Sequence, residues 1–390
     1  MVLYLLLLCL LTVNFWGIKP FGYFDGDIQL LYLFLYQLLG CVIFRNREKV
    51  EYKNKYKYLK WILVGILLSM IPAYCFYGQT LMQSIVAYRA QSYLLTIVTL
   101  FYLSPKLDEL MKSLVLFSIA LLFFEYYLPL NIDQFVIEEI VLQRMKSNTD
   151  YAIHVVAGIE YVTIPLLYYC HKIRYTLKIK YLLLIMFLFF VLYKVENRSS
   201  LFAVIPLILY SICILKNKYR FILWLFFIFL VLLFFKVEPN RFYELFDETL
   251  TQLDNADYNR NKAWAHFIFN SPHWICDILG NGFLSAHATN VMESLMEQGI
   301  YNTDTGLIGY WNQFGIIPVA ALLMMYIKIL NLKEEPYYMK LNAIYAITCS
   351  LTTLYYGELV KMLYLVFFYY LFVYNLRYKS CDDVYKMRSL

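Results

Sequence analysis

The fold class that this sequence predicts is an all-α polytopic membrane protein, and three observations predict it. Of the 390 residues, 61% are hydrophobic and only 16% are charged, against about a quarter charged in a soluble domain. The apolar residues gather into roughly twelve runs, several of them short of the ~20 residues a helix needs to cross a ~30 Å hydrocarbon core. Most charged residues fall between the runs, and the basic ones concentrate in every second gap. A chain of this length cannot fold so much apolar surface away from water. That excludes an ordinary cytosolic enzyme, a disordered protein and a disulfide-stapled secreted domain.

In chain order the runs are 2–18, 28–44, 61–77, 85–103, 113–130, 151–170, 181–195, 199–215, 221–236, 305–327, 341–356 and 359–376. The first lacks a basic start and a small-x-small cleavage site, so it reads as an uncleaved span rather than a signal peptide. Only Glu196, Asn197 and Arg198 separate 181–195 from 199–215. A tight hairpin, with its polar tip just inside the interface, fits both lengths. The gap 131–150 has the pattern of an amphipathic helix lying on the membrane. The predicted organisation is a membrane domain over 1–236 with spans one to nine, a polar loop over 237–304, a second membrane part over 305–376 with spans ten to twelve, and a short polar tail over 377–390.

Charge assigns the sides. The even-numbered gaps and the tail (45–60, 104–112, 171–180, 216–220, 328–340 and 377–390) hold 23 of the 34 Lys and Arg residues but only 8 of the 28 acids. The positive-inside rule then places these segments and both termini in the cytoplasm and the loop 237–304 outside. That loop carries ten acids against three bases, Arg241, Arg260 and Lys262. Within it, residues 258–270 read as a helix with Trp264, Phe267 and Ile268 on one face, broken by Ser271-Pro272. Residues 288–298 read as a second helix stopped by Gly299.

Several chemistries have no pattern here. The eight cysteines stand singly, with neither a zinc nor a redox motif. There is no internal repeat and no Walker or Rossmann glycine pattern. The basic gap 45–60 abuts a membrane, and anionic headgroups account for it better than nucleic acid does. No metal and no cofactor is expected.

Charges in or at the ends of spans cost about 2.5–3.5 kcal/mol each at a helix centre and need a reason. On the outer side they are Arg89, Glu125, Glu160, Arg198, Glu358 and Lys361, with His154 close by. Arg89, beside Gln91 and Ser92, is a candidate anion ligand or a snorkelling interface residue. Arg198 precedes Ser199 and Ser200 at a helix start, where free N–H groups and the helix dipole suit a phosphate; pairing with Glu196 is the alternative. Arg260 and Lys262 are the obvious anion ligands of an acidic loop, or partners of Asp254 and Asp257. Toward the end of the loop, His287 and Asp304 are candidates for a general base, and Asp304 equally for a helix cap. Gly280-x-Gly282 is compatible with a simple turn.

Taken together, these residues resemble the Wzy-type O-antigen and capsule polymerases and the related O-antigen ligases. The resemblance rests on Asn197-Arg198-Ser199-Ser200-Leu201 ahead of a large outer loop. It rests also on Arg260-x-x-x-Trp264, Ser271-Pro272 and Leu279-Gly280-x-Gly282, and on Asp304-x-Gly306-Leu307 with Gly315-Ile316-Ile317. By motif it covers roughly residues 190–330. Ligases of this kind place a His-Asn pair eleven residues before that last glycine; here Asp304-Thr305 holds the position, and His287 with Asn290 is the imperfect alternative. The departure favours a repeat-unit polymerase over a ligase.

The resemblance implies a GT-C-like architecture and a metal-independent, inverting glycosyl transfer on the outer face of the bacterial cytoplasmic membrane. A glycan on undecaprenyl pyrophosphate would be donor, and the sugar hydroxyl of a second lipid-linked repeat unit would be acceptor. Arg89, Arg198 and Arg260 would hold the pyrophosphate, Asp304 or His287 would be the base, and Trp264, Tyr310 and Trp311 would offer sugar-stacking faces. Implied partners are the lipid-linked oligosaccharide, membrane lipids, and the chain-length regulator and flippase of the same pathway. Three alternatives stay open: a lipid-linked oligosaccharide flippase, an O-antigen ligase, and a glycosyltransferase using a polyprenyl-phosphate sugar, for which Asp25-Gly26-Asp27 in the first outer gap is the relevant feature.

Overall fold

The computed structural model describes residues 1–18, 26–47, 52, 54–130, 157–175, 178–195, 198–213, 221, 224–225, 227–228, 259–284, 294–295, 297–298, 300–302, 305–332, 337–352 and 354–388. Among the described residues every regular element is helical and there is no β-strand. The chain opens with α1 (Val2–Thr12), α2 (Gly26–Ile43), α3 (Lys57–Leu68) and α4 (Met70–Tyr77). Next come α5 (Leu81–Ala87), a 3₁₀ stretch (Tyr88–Leu95), α6 (Thr96–Leu103) and α7 (Leu107–Leu130). The middle of the chain forms α8 (Ile159–Tyr175), α9 (Ile179–Lys194) and α10 (Arg198–Cys213). Two loop helices follow, α11 (Asn259–Phe269) and α12 (Trp274–Leu279). The last part holds α13 (Leu307–Phe314), α14 (Ile316–Leu330), α15 (Tyr337–Ser350) and α16 (Leu359–Arg388).

Local sequence explains the boundaries. Gly78 ends α4 in the left-handed region at φ +65°, a conformation that costs glycine nothing. Thr80 then opens α5 with a reciprocal capping box to Gln83. Gly315, at φ +79°, divides α13 from α14. Among the described residues, three stretches are long and apolar enough to cross a membrane: Lys57–Tyr77, Leu81–Leu103 and Leu359–Leu376. Val2–Thr12, Asp27–Ile43, Ser199–Ile212 and Ile316–Leu330 are shorter apolar helices.

The core forms around α16. Every residue from Met362 to Tyr374 is buried, as expected of a helix that is apolar all round. It packs against α1, α6, the 3₁₀ stretch, α8 and α15. α3 also meets α14, and their backbones come close because Gly65 has no side chain: a Cβ there would lie 2.3 Å from the Pro318 ring. The outward faces are apolar too, with Leu31, Leu35, Leu38 and Val42 exposed on α2 and Trp61, Val64, Leu67, Ile71 and Tyr74 exposed along α3–α4. Apolar on both faces is what a lipid surrounding asks for.

Interior tyrosines tie the helices together. The Tyr93 hydroxyl bonds Thr12 at 2.6 Å, Tyr161 donates to the Val360 carbonyl at 2.7 Å, and Tyr370 donates to the Pro105 carbonyl at 2.7 Å. Tyr326 and Tyr356 bond each other at 2.6 Å. Each ring fills space as a hydrophobe while its hydroxyl reaches a polar group on another segment. Such links are worth about 1 kcal/mol each. They supply a use for a residue type present 39 times.

The gaps sort into two ends. At one end Arg47 pairs with Glu109, Tyr52 bonds Tyr370, Tyr168 packs edge-on against Tyr338, and Asn375 donates to the Tyr338 hydroxyl. At the other Trp16 donates to the Ala157 carbonyl, Arg89 pairs with Asp27, Tyr77 bonds Asn281, and Gln91 donates to the Gly357 carbonyl. The first group belongs to the segments rich in Lys and Arg, and this end is called the basic end below.

The structure adjusts several expected boundaries. The first run was expected to 18 but α1 stops at Thr12. Asn14, Phe15 and Trp16 take left-handed conformations and carry the chain across to Ala157. The run 85–103 is interrupted by the 3₁₀ stretch, and α9 and α10 have 16 residues each, about 24 Å of helix. On α11 the buried face is Ala263 and Phe267, with Trp264 half-buried, whereas Ile268 is exposed. Ile268 lies one position beyond the i, i+4 row that meets α13. The segment 377–388 continues α16 rather than leaving it. The expected helix at 131–150, most of the one at 288–298, and most of the run 221–236 lie outside the described residues.

Candidate functional site

At the end opposite the basic one, the connector between α15 and α16 gathers the other segments. Gln91 of the 3₁₀ stretch donates to the Gly357 carbonyl at 3.2 Å. Tyr355 donates to the Gln313 side chain of α13. Tyr161 of α8 reaches the Val360 carbonyl. The last turn of α15 takes two more contacts, described next.

Arg198 is the first residue of α10. Ser200 bonds the Tyr345 hydroxyl at 2.8 Å, and the Cys349 thiol lies 3.8 Å from the Ser199 carbonyl. Gly306, at φ +58°, sits directly on Ser350: a Cβ there would be 2.0 Å from the Ser350 carbonyl oxygen. The Arg-Ser-Ser helix start and the segment returning from the loop therefore both end on Cys349–Ser350. The first-turn N–H groups of α10 have no intrahelical partners and carry the positive end of its dipole.

Arg89 lies in the 3₁₀ stretch, half-exposed. It pairs with Asp27 and donates through Nη1 to the Val86 carbonyl at 2.9 Å. Asp27 belongs to the acidic pair of the first outer gap, so these two features form one ion pair. Arg260 is in the first turn of α11, half-buried, and α11 packs on α13, its Ala263 and Phe267 clustering with Ile308 of α13 and with Ile300 of the loop. Trp264 follows one turn later, and its buried Nε1 has no hydrogen-bond partner among the described residues. Trp311 donates from Nε1 to the Asp277 carbonyl at 2.6 Å and keeps part of its ring exposed. Tyr310 is 0% exposed, among Phe314, Tyr355 and Tyr356, so its ring offers no free face. Asp304, His287, Asn290 and His154 lie outside the described residues, as does the Arg198 side chain.

The Gly280-x-Gly282 pair has a clear local purpose. The strip 279–283 runs against the end of α13, with Asn281 N–H donating to the Asn312 carbonyl at 2.7 Å and Gly282 N–H to the Gln313 carbonyl at 2.8 Å. Both glycines have φ near +85°, and a Cβ on Gly280 would lie 2.3 Å from the Gln313 oxygen. From the other side Tyr88 accepts from the Phe283 N–H at 2.8 Å and Gln79 donates to its carbonyl at 3.1 Å. The loop is thereby anchored to the bundle rather than tethered at its ends alone. In α11, burial lowers the His266 pKa below its ordinary value, favouring the neutral ring near pH 7.

Glu160, Glu358 and Lys361 are span-end charges with no role among the expected ligands. They come together. Glu160 is in the first turn of α8 and is 5% exposed, and its Oε2 makes no hydrogen bond among the described residues. Lys361 and Glu358 pair at 2.8 Å and act electrostatically on Glu160, as Glu160 does on Tyr345, Cys349 and Tyr364. A buried carboxyl thus lies within electrostatic range of the side chains on which α10 starts. The free N–H groups of the α10 start suit an anion. Compared with known proteins, the chain matches no family model, no curated protein and no solved structure.

Proposed function

We propose that the chain is a membrane glycosyltransferase that polymerises lipid-linked glycan repeat units. The observation that carries the reading is the meeting, on Cys349–Ser350, of the Arg198-Ser199-Ser200 helix start and the Thr305–Gly306 segment. The two motifs are far apart in sequence, and one family pattern contains both. In this reading the chain crosses the membrane twelve times, with the basic end in the cytoplasm and the loop outside, in the cytoplasmic membrane of a bacterium. Arg198, Arg260 and Arg89 hold the pyrophosphate of an undecaprenyl-linked donor. Asp304 or His287 takes the proton of the acceptor hydroxyl. The acceptor oxygen forms a bond to the anomeric carbon as the bond from that carbon to the pyrophosphate breaks. The pyrophosphate leaves with the electron pair, and guanidinium groups stabilise the charge that develops on it.

Arg198→Ala and Arg260→Ala are expected to insert normally and to lower polymer formation by at least ~100-fold, the usual scale for losing a transition-state charge contact. Polymer of normal length in both variants overturns the proposal. Deleting the protein should leave single repeat units on the lipid carrier, available on the outer leaflet. Units held on the inner leaflet alone would instead mark a flippase.

A further inference from the structure

Residues 268–278 leave an apolar surface that the proposed chemistry does not use. Ile268, Phe269, Trp274 and Ile278 are exposed, Phe269 at 79% and Trp274 at 64%. Pro272 between them is exposed as well. Water would penalise such a cluster, since about 25 cal/mol is lost for each Å² of apolar surface left wet.

The patch does not stand alone. On α3–α4 the exposed residues Trp61, Val64, Leu67, Ile71 and Tyr74 follow one another at three- and four-residue spacing, a single stripe along the helix pair. Ile316, Leu323 and Ile327 make a similar stripe on α14, which packs against α3. Both stripes start near the basic end, with Trp61 and Ile327, and finish against α12. Phe76 of α4 stacks on His273 with centroids 5.2 Å apart, and Ile316 follows Gly315, whose backbone touches Ile278. The lipid-facing surface of the bundle therefore continues without interruption onto the α11–α12 connector. The connector also carries the mixture that favours an interface: a Trp, a Phe, a His and a Pro, with Asn270 and Asp277 exposed beside them.

We infer that the connector 268–278 lies in the interfacial layer of the bilayer, with Phe269 and Trp274 among the lipid headgroups and upper acyl chains. The occupant of this surface is lipid. The inference needs the chain to be in a membrane and is independent of its glycan chemistry. Its consequence is that α11, with Arg260 in its first turn, is held at the height where the headgroup of any lipid-borne substrate would sit.

The test uses the full chain in lipid nanodiscs. Subtracting the emission of Trp274→Phe from that of the unaltered protein isolates the Trp274 signal from the other five tryptophans. Trp274 is exposed and the replacement keeps an aromatic ring, so folding is preserved; Trp61→Phe supplies the lipid-facing reference. The expected result is quenching of Trp274 by phosphatidylcholine brominated near the headgroup end of its chains, and protection from iodide. Quenching by iodide but not by brominated lipid would place the connector in water and overturn the inference. Protection from both would mean that protein, such as a second copy, covers it, and would overturn it equally.

Discussion

Two glycines with the same handedness of backbone have very different surroundings. At Gly78, φ +65°, nothing lies within 4 Å of a Cβ; at Gly306, φ +58°, a Cβ would press on the Ser350 carbonyl at 2.0 Å. Gly78→Ala should therefore cost only the left-handed penalty, ~1 kcal/mol. Gly306→Ala and Gly280→Ala must also move backbone, and should cost well above ~3 kcal/mol. Thermal unfolding in detergent measures the ordering, and equal losses at the three positions would contradict the packing described. The contrast shows what sequence alone carries at this scale. Gly280-x-Gly282 was legible as a place where the chain bends, because positive φ is a local property. That the bend lies on α13 was not, because the contact is made by backbone atoms of Gln313 and Gly315, which have no signature. Glu160 and Lys361 were legible as costly charges for the same local reason, and their meeting was not.

The helices themselves were the most readable level. Each predicted run except 221–236 has a described helix on it, since an apolar run reports its own need for burial or lipid. The interruptions were harder to see. The eight-residue 3₁₀ stretch Tyr88–Leu95 is long for its kind. It is held by partners elsewhere, through Tyr88 to Ser69, Gln91 to Gly357 and Tyr93 to Thr12. At the basic end the start of α7 is fixed by Glu109, which accepts from the Lys106 N–H at 2.7 Å and pairs with Arg47. Partial burial pushes its carboxyl pKa up, but the Arg47 guanidinium and the Lys106 amide outweigh that and leave it below the ordinary 4.5. A depressed folded pKa contributes stability above the unfolded value, lost as pH falls through the folded one. The link should hold at neutral pH and fail below pH 4.5. Both side chains keep some solvent contact, so the effect stays under ~1 kcal/mol. Unfolding followed from pH 7 to pH 3 should show a smaller acid loss in Arg47→Ala than in the unaltered chain; identical profiles would remove the pair from the account.

For the molecule as a whole, charge distribution and packing agree on two ends, and the orientation can be read directly. In a background without the native cysteines, Asp27→Cys and Ala265→Cys, both at exposed positions outside the 268–278 connector, should react with a membrane-impermeant maleimide on intact cells. Asn54→Cys and Lys106→Cys should react only after lysis. All four reacting together, or the reverse pattern, would refute the assignment of the basic end to the cytoplasm. The aromatic excess becomes intelligible only here, because a tyrosine pin has its ring in one helix and its acceptor in another. The burial of α16 bears on how the protein is made. The helix at the centre is translated after α1, α6, α8 and α15, all of which it touches. Before it is made those helices lack their common partner, and the Pro105 carbonyl lacks the Tyr370 hydroxyl that it accepts from. The contacts described here therefore cannot close before α16 is in place, and assembly of this bundle waits on a helix translated after all of those partners.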